Sequence, residues 1–337
     1  MPAVTDAKNK GIYLVSHENA EICEEDLSKL LSVTVRAAGR VTDTHLKIIT
    51  EEIQLEETNT KVHTYRLPLD ANGRVRYKPL ADYLRDQVLD YAIPRKSINE
   101  AKKEFDETGS SSKITRLQFE AMQLFSSLKK SGEGGELLVF AFAEAVFGLS
   151  QIICKMSLKT SSEMHYHGAD GVYAEGTKDG LLKVYWGESK LYGDCSTAVR
   201  DCLSSLAPFL TEHDSNVSTR SRDIFLINEF ANFDDPNIIE GLKRYFDMND
   251  SKSLSLQHCG IALIGFDNEL YPEDEVIGND SDLAEKIKEH VPQWTKQIKN
   301  RVGKEKINNY DIHFICVPMR TVSEFREYFL SLLGVDK

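Results

Sequence analysis

The sequence predicts an α/β protein with a mixed central sheet flanked by helices. Short apolar runs with strand character alternate with longer stretches of helical spacing. One paired signal, Val172–Ala174 and Leu181–Lys190 around a polar Gly-containing loop, reads as a hairpin. The 337 residues are 41% hydrophobic and 28% charged, enough for a normal core.

The elements follow in order along the chain. Gly11–Val15 is a short apolar run, hence a strand. Asp26–Arg36 places Leu27, Leu30, Leu31 and Val35 at helical spacing. His45–Leu55 alternates as a strand does, and Asp70-Ala71-Asn72-Gly73 is a turn signal. Tyr77–Tyr91 is helical and Pro94 ends it. Residues 95–112 are charged, then Gly/Ser-rich, and read as a linker, with a solvated helix as the alternative for the first half. This division gives an N-terminal α/β region over 1–95, a linker over 96–112 and a second domain over 113–337.

In the second domain, Ile114, Leu117, Met122 and Phe125 mark an amphipathic helix. Ser131–Gly135 reads as a glycine-rich turn, and Glu136–Met156 as a helix apolar nearly all round, hence buried. After the hairpin, Cys195–Leu210, Pro236–Phe246, Ser281–Arg301 and Ser323–Leu333 are helical in pattern. Ile224–Ile227, Gly260–Phe266 and Ile312–Val317 are strand candidates.

A net charge of −12 argues against strong autonomous nucleic-acid binding, because phosphate neutralisation drives such affinity. A local basic patch or a partner that supplies the grip remains compatible with it. The six cysteines form no C-x-x-C and read as reduced thiols of a cytoplasmic protein. The N-terminal MPAVTDAKNK lacks the apolar core of a secretory signal. Leu137–Leu149 is too short to span a membrane and is interrupted by Glu144.

Chemistry concentrates at Asp170-Gly171 and at Tyr185-Trp186-Gly187-Glu188-Ser189-Lys190. Strand alternation puts Leu182, Val184, Trp186, Glu188 and Lys190 on one face, which begins apolar and ends ionic. Asp170 and Glu188 offer two carboxylates to a hard cation, Mg²⁺ or Mn²⁺, and the Ser189 carbonyl offers a third oxygen. Lys190 would orient or deprotonate the attacking water, or neutralise charge on a phosphate. Glu136 and Glu144, eight residues apart on one helix, are the further acids, with Glu136 preferred as ligand. The expected activity is phosphodiester hydrolysis.

Other residues invite blander readings. His165 and His167 flank Tyr166 without supporting ligands nearby and read as structural or substrate-positioning. Lys155 and Lys159 are phosphate contacts or a solvated helix end; Trp186 reads as core, Cys195 and Cys202 as packing. No G-x-S-x-G elbow and no G-x-x-x-x-G-K-[ST] loop is present, which disfavours a serine hydrolase and an ATPase.

The order of helix acid, strand Asp, strand Glu-x-Lys and helix resembles the PD-(D/E)XK nuclease superfamily and its restriction-endonuclease-like fold. The blocks SGEGGELLVFAFAE, KMSLKT, HGADGVYA and VYWGESKLYGD are more narrowly similar to the HamA family, the nuclease subunits of Hachiman anti-phage defence systems. The similarity is densest over 131–212, and Ala169 stands where the superfamily usually has proline. The resemblance implies Asp170, Glu188 and Lys190 as motif residues and Glu136 as the helix acid. It implies a partner, a HamB-like superfamily 2 helicase that restrains the nuclease until abnormal DNA is sensed, and DNA as substrate. Two rivals stand beside it: a catalytically inactive nuclease-fold subunit that binds and regulates the helicase, and an RNase.

Overall fold

In the computed structural model, described over residues 24–36, 41–126, 133–156, 168–211, 224, 232–273 and 277–334, seven strands form one mixed sheet. The order is β1 (Lys47–Gln54), β2 (Thr60–Arg66), β7 (Ile312–Met319), β6 (Leu256–Asp267), β5 (Leu182–Tyr192), β4 (Gly171–Gly176) and β3 (Ser150–Gln151). The four strands β2, β7, β6 and β5 are mutually parallel, while β1, β4 and β3 run antiparallel to their neighbours. β5, β6 and β7 are buried along most of their length, as strands covered on both faces are.

The helices are α1 (Glu24–Ser32), α2 (Tyr77–Ala92), α3 (Arg95–Thr108), α4 (Ser112–Ser126), α5 (Glu133–Ala145), α6 (Cys195–Thr211), α7 (Pro236–Phe246), α8 (Asp280–Glu305) and α9 (Val322–Leu332). α5 covers the β5 face that carries Ser189 and Leu191, since its Gly135 lies against both. α6 covers the other face, where Phe209 stacks on Trp186 with ring centroids 5.4 Å apart. On that same face Trp294 of α8 meets Phe266 edge-on. No helix among the described residues is long and apolar enough to cross a membrane.

Most expected elements stand where the spacing placed them. The exceptions have local physical causes. The helix expected over Glu136–Met156 ends at Ala145. Gly148 takes a left-handed conformation at φ +67°, Leu149 N–H closes back on Ala143 O, and Ser150–Gln151 then pairs with β4. A segment apolar on every side gives no period that separates helix from strand, so the pattern ran on past the true end. At the other end of α5, Gly134 and Gly135 belong to the helix rather than to a turn. Gly135 is glycine because α5 approaches closely there: a Cβ on it would stand 2.6 Å from Ser189 Oγ.

The stretch read as a linker carries α3 and the start of α4; its first half is the helix that stood as the alternative. β1 and β2 belong to the same sheet as the later strands, with β2 paired to β7 from Thr60↔Ile312 to Thr64↔Cys316. The strand expected at Gly11–Val15 lies outside the described residues, as does that at Ile224–Ile227 apart from Ile224.

Candidate active site

β5 outruns its neighbour. β4 begins at Gly171 opposite Gly187, while β5 continues to Tyr192. Asp170 stands at that step. Its N–H makes a last ladder-like bond to Gly187 O at 2.8 Å. Its Oδ2 then accepts from Ser189 N–H at 2.8 Å and from Ser189 Oγ at 2.7 Å. The carboxylate thus takes the place of the missing strand and satisfies a backbone donor that the short β4 leaves behind.

One residue to either side, Glu188 and Lys190 share the opposite face, as alternation requires. Lys190 Nζ donates to Glu188 Oε1 at 2.5 Å, and Glu188 is 5% exposed. α6 closes this side: Cys202 Sγ donates to Glu188 O at 3.4 Å. Trp186, two residues earlier, is fully buried core, with its Nε1–H on His258 Nδ1 at 3.2 Å.

Glu136 arrives from the other side of β5, in the first turn of α5, where the helix dipole favours an anion. It is buried, and its Oε2 accepts from the hydroxyl of Tyr91 at 2.7 Å. The same hydroxyl is 3.3 Å from Asp170 O. Sequence reasoning missed Tyr91, which ends an ordinary amphipathic helix and acquires its place only through the packing of α2 on α5.

Asp170 and Glu188 both sense neighbouring carboxylates past the end of β4. Burial raises the Asp170 carboxyl well above its usual range, and the charges of Glu188 and Glu136 raise it further, against the Ser189 bond and Lys190. Burial raises Glu188 too, opposed by Lys190 and reinforced by Glu136. Burial lowers the Lys190 ammonium, but the Glu188 carboxylate outweighs it and holds Lys190 above its ordinary value. Lys190 is therefore a firm cation at neutral pH.

Glu144 has other work. Its Oε1 takes Arg95 Nη2 and Gln151 N–H, each at 3.1 Å, and its Oε2 takes Arg36 N–H at 2.7 Å. It is a buried structural counter-ion, two turns along α5 from Glu136. Lys155 is not a solvated helix end: it is buried, and its Nζ donates to Ala169 O at 2.8 Å, fastening the residue before Asp170. Cys202 is fully buried and Cys195 half-buried, as packing residues are. His165, His167 and Lys159 lie outside the described residues.

Each acid is turned towards a protein donor, and no group of three His, Cys, Asp or Glu side chains among the described residues is placed to hold a metal ion. The donor chemistry nonetheless suits a hard cation. Buried carboxylates held up by burial and by neighbouring carboxylates are relieved by a divalent charge beside them. Asp170 and Glu188 would each offer it an oxygen.

No curated protein matches the chain. Residues 43–333, most of the chain and the whole of this site, match the model of the HamA family, and the protein belongs to that family.

Proposed function

We propose that this protein is a metal-dependent DNA nuclease with a PD-(D/E)XK, restriction-endonuclease-like core. It acts as the effector of a Hachiman anti-phage defence system under the control of a HamB-like helicase. The observation that carries this reading is the step at the end of β4, where Asp170 is locked against the Glu188-Ser189-Lys190 strand with Glu136 within charge range. Family membership supports the defence role and the helicase partner.

Asp170 and Glu188 would hold Mg²⁺ or Mn²⁺, with Glu136 and the Ser189 carbonyl as further oxygens. Such a cation supplies Lewis acidity to the scissile phosphate and a water nucleophile near neutral pH. Lys190, held protonated by Glu188, orients that water and neutralises charge growing on the phosphate, rather than serving as its base. Tyr91 fixes Glu136, Ser189 fixes Asp170, and Lys155 fixes the backbone between them.

A second reading has one observation in its favour: the protein's own donors occupy the acids, as they would in a nuclease fold retained only to bind and regulate a helicase. Digestion of plasmid, linear DNA and RNA by the purified chain with Mg²⁺ separates the two, run with and without the neighbouring helicase and ATP. DNA cleavage that disappears in Glu188→Ala and Lys190→Ala, both still folded, supports the nuclease. A stable helicase complex with no cleavage under any condition would establish the binding subunit instead.

A further inference from the structure

The edge of β5 runs on past Asp170. Backbone N–H and C=O groups alternate between the two edges of a strand, so Ser189 and Leu191 turn theirs the same way. Ser189 N–H meets Asp170 Oδ2 on the edge that the short β4 leaves open. Leu191 O lies on that edge two residues on, about 7 Å further along. β4 does not reach it. Its donor comes from α9 instead: Arg326 Nη2 donates to Leu191 O at 2.9 Å.

α9 is firmly placed. Thr321 Oγ1 caps it by accepting from Glu324 N–H at 3.3 Å. Val322 N–H donates to Asp267 Oδ1 at 2.6 Å, which ties the helix start to the end of β6. Phe325 and Phe329 are buried against α5, where a Cβ on Gly134 would stand 3.4 Å from the first and 3.7 Å from the second. The helix thus lies at the C-terminal ends of the parallel strands, where open α/β sheets bind their ligands.

Arg326 does more than satisfy a carbonyl. The residue is exposed, and it meets no carboxylate among the described residues. Arg320 and Arg85, by contrast, are spent on Glu324 at 2.6 Å and Asp86 at 2.8 Å. One arm of the planar Arg326 fork is used on Leu191, and the rest is left to solvent beside the acid cluster. In a chain of net charge −12, three clustered acids repel a nucleic-acid strand unless a nearby cation receives it.

We propose that Arg326 binds a DNA backbone phosphate adjoining the scissile one and so sets where the strand lies across the acids. The proposal takes its substrate from the nuclease reading of that site. The guanidinium stands beyond Ser189 along the edge, so it grips substrate, while Lys190 serves the reacting phosphate.

Fluorescence anisotropy of a labelled DNA duplex with the full chain tests it, in Ca²⁺ instead of Mg²⁺ to hold back turnover, over a series of salt concentrations. Arg326→Gln keeps an N–H donor for Leu191 O but removes the charge, and Arg326→Lys keeps the charge. Arg244→Gln is the control: Arg244 pairs with Asp250, just before β6 begins opposite the start of β5, at the other end of the sheet. Arg326→Gln should weaken binding about tenfold at low salt and reduce the slope of log K against log salt by about 0.9, the loss of one phosphate contact. Arg326→Lys should keep the wild-type slope, and Arg244→Gln both slope and affinity. In Mg²⁺, Arg326→Gln should raise KM for DNA about tenfold and leave kcat within about twofold.

Wild-type affinity and slope in a folded Arg326→Gln overturn the proposal, and cleavage that still needs Glu188 would then leave the nuclease standing. Equal weakening in both Arg326 variants with an unchanged slope also overturns it, because Arg326 would then be a carbonyl cap and nothing more. So does a wild type that binds no DNA at any salt concentration. A reduced slope in Arg326→Gln, with no cleavage by the wild type, upholds the phosphate contact and sinks the nuclease reading instead.

Discussion

The Tyr91 hydroxyl donates to Glu136 Oε2 at 2.7 Å, joining residues 45 positions apart and tying the last turn of α2 to the first turn of α5. Burial first, and then the Glu136 charge, hold the phenol well above its usual pKa, so it acts as a donor at every working pH. Tyr91→Phe removes the proton and keeps the ring. We expect a stability loss of about 1–3 kcal/mol in urea denaturation. Loss of a residue that orients an acid should lower DNA cleavage by about 10- to 100-fold. Wild-type values for both quantities would remove Tyr91 from the site.

The contact between α5 and β5 is as close as backbone allows. In Gly135→Ala the new methyl would stand 2.6 Å from Ser189 Oγ and 3.0 Å from its Cβ. Overpacking of this kind costs about 1–3 kcal/mol and would turn Ser189 away from Asp170. Gly303 in α8 is the control, because a Cβ there meets nothing within 4 Å. Gly303→Ala should instead stabilise by about 0.5–1 kcal/mol. Thermal melts of the two variants should shift in opposite directions.

Glu144 is the counter-ion for Arg95 and also accepts the Arg36 and Gln151 amides. Breaking a buried pair by removing one partner costs about 3–5 kcal/mol. Glu144→Ala should therefore destabilise the chain by that amount in urea denaturation. A loss no larger than that of an average exposed-site substitution would show that the pair is dispensable.

His63 and His313 set a dependence on pH. The Nδ1 of His63 donates to Glu51 O, and its Nε2 lies 3.0 Å from His313 Nδ1. Burial, then His63 and Lys61, push His313 down to about 4, against the pull of Glu52 and Asp311; burial lowers His63 as well. The unfolded chain therefore takes up these protons first as pH falls. The pair's contribution is intact above about 6.5, the unfolded histidine value, and is lost progressively below it. Between pH 7 and 5 the melting temperature of the wild type should fall more steeply than that of His313→Phe. Parallel curves would refute this.

The sequence was most legible where chemistry and periodicity coincide. Glu188 and Lys190 announced themselves on a strand, and Asp170 before a Gly, because alternation and turn signals are local. Helices with one apolar stripe, such as α2 and α6, were equally plain. What depended on distant partners left no local trace. The parallel pairing of His63 with Ile315 spans most of the chain, so nothing near β2 indicated that it shares a sheet with β7. Tyr91 and Lys155 look like ordinary core and surface residues until the fold brings Glu136 and Ala169 to them. The end of α5 was hidden for the opposite reason: its neighbourhood is apolar throughout and so carries no period.

β7 is the last strand among the described residues, yet it lies between β2 and β6 in the sheet. During translation β2 and β6 both emerge from the ribosome before the strand that must separate them. Neither can finish its ladder until residue 319 has cleared the exit tunnel. A chain stalled before β7 would carry every residue of the acid cluster while lacking the strand that joins β1 and β2 to the rest of the sheet. Such fragments would present open strand edges to chaperones and proteases rather than a finished scaffold.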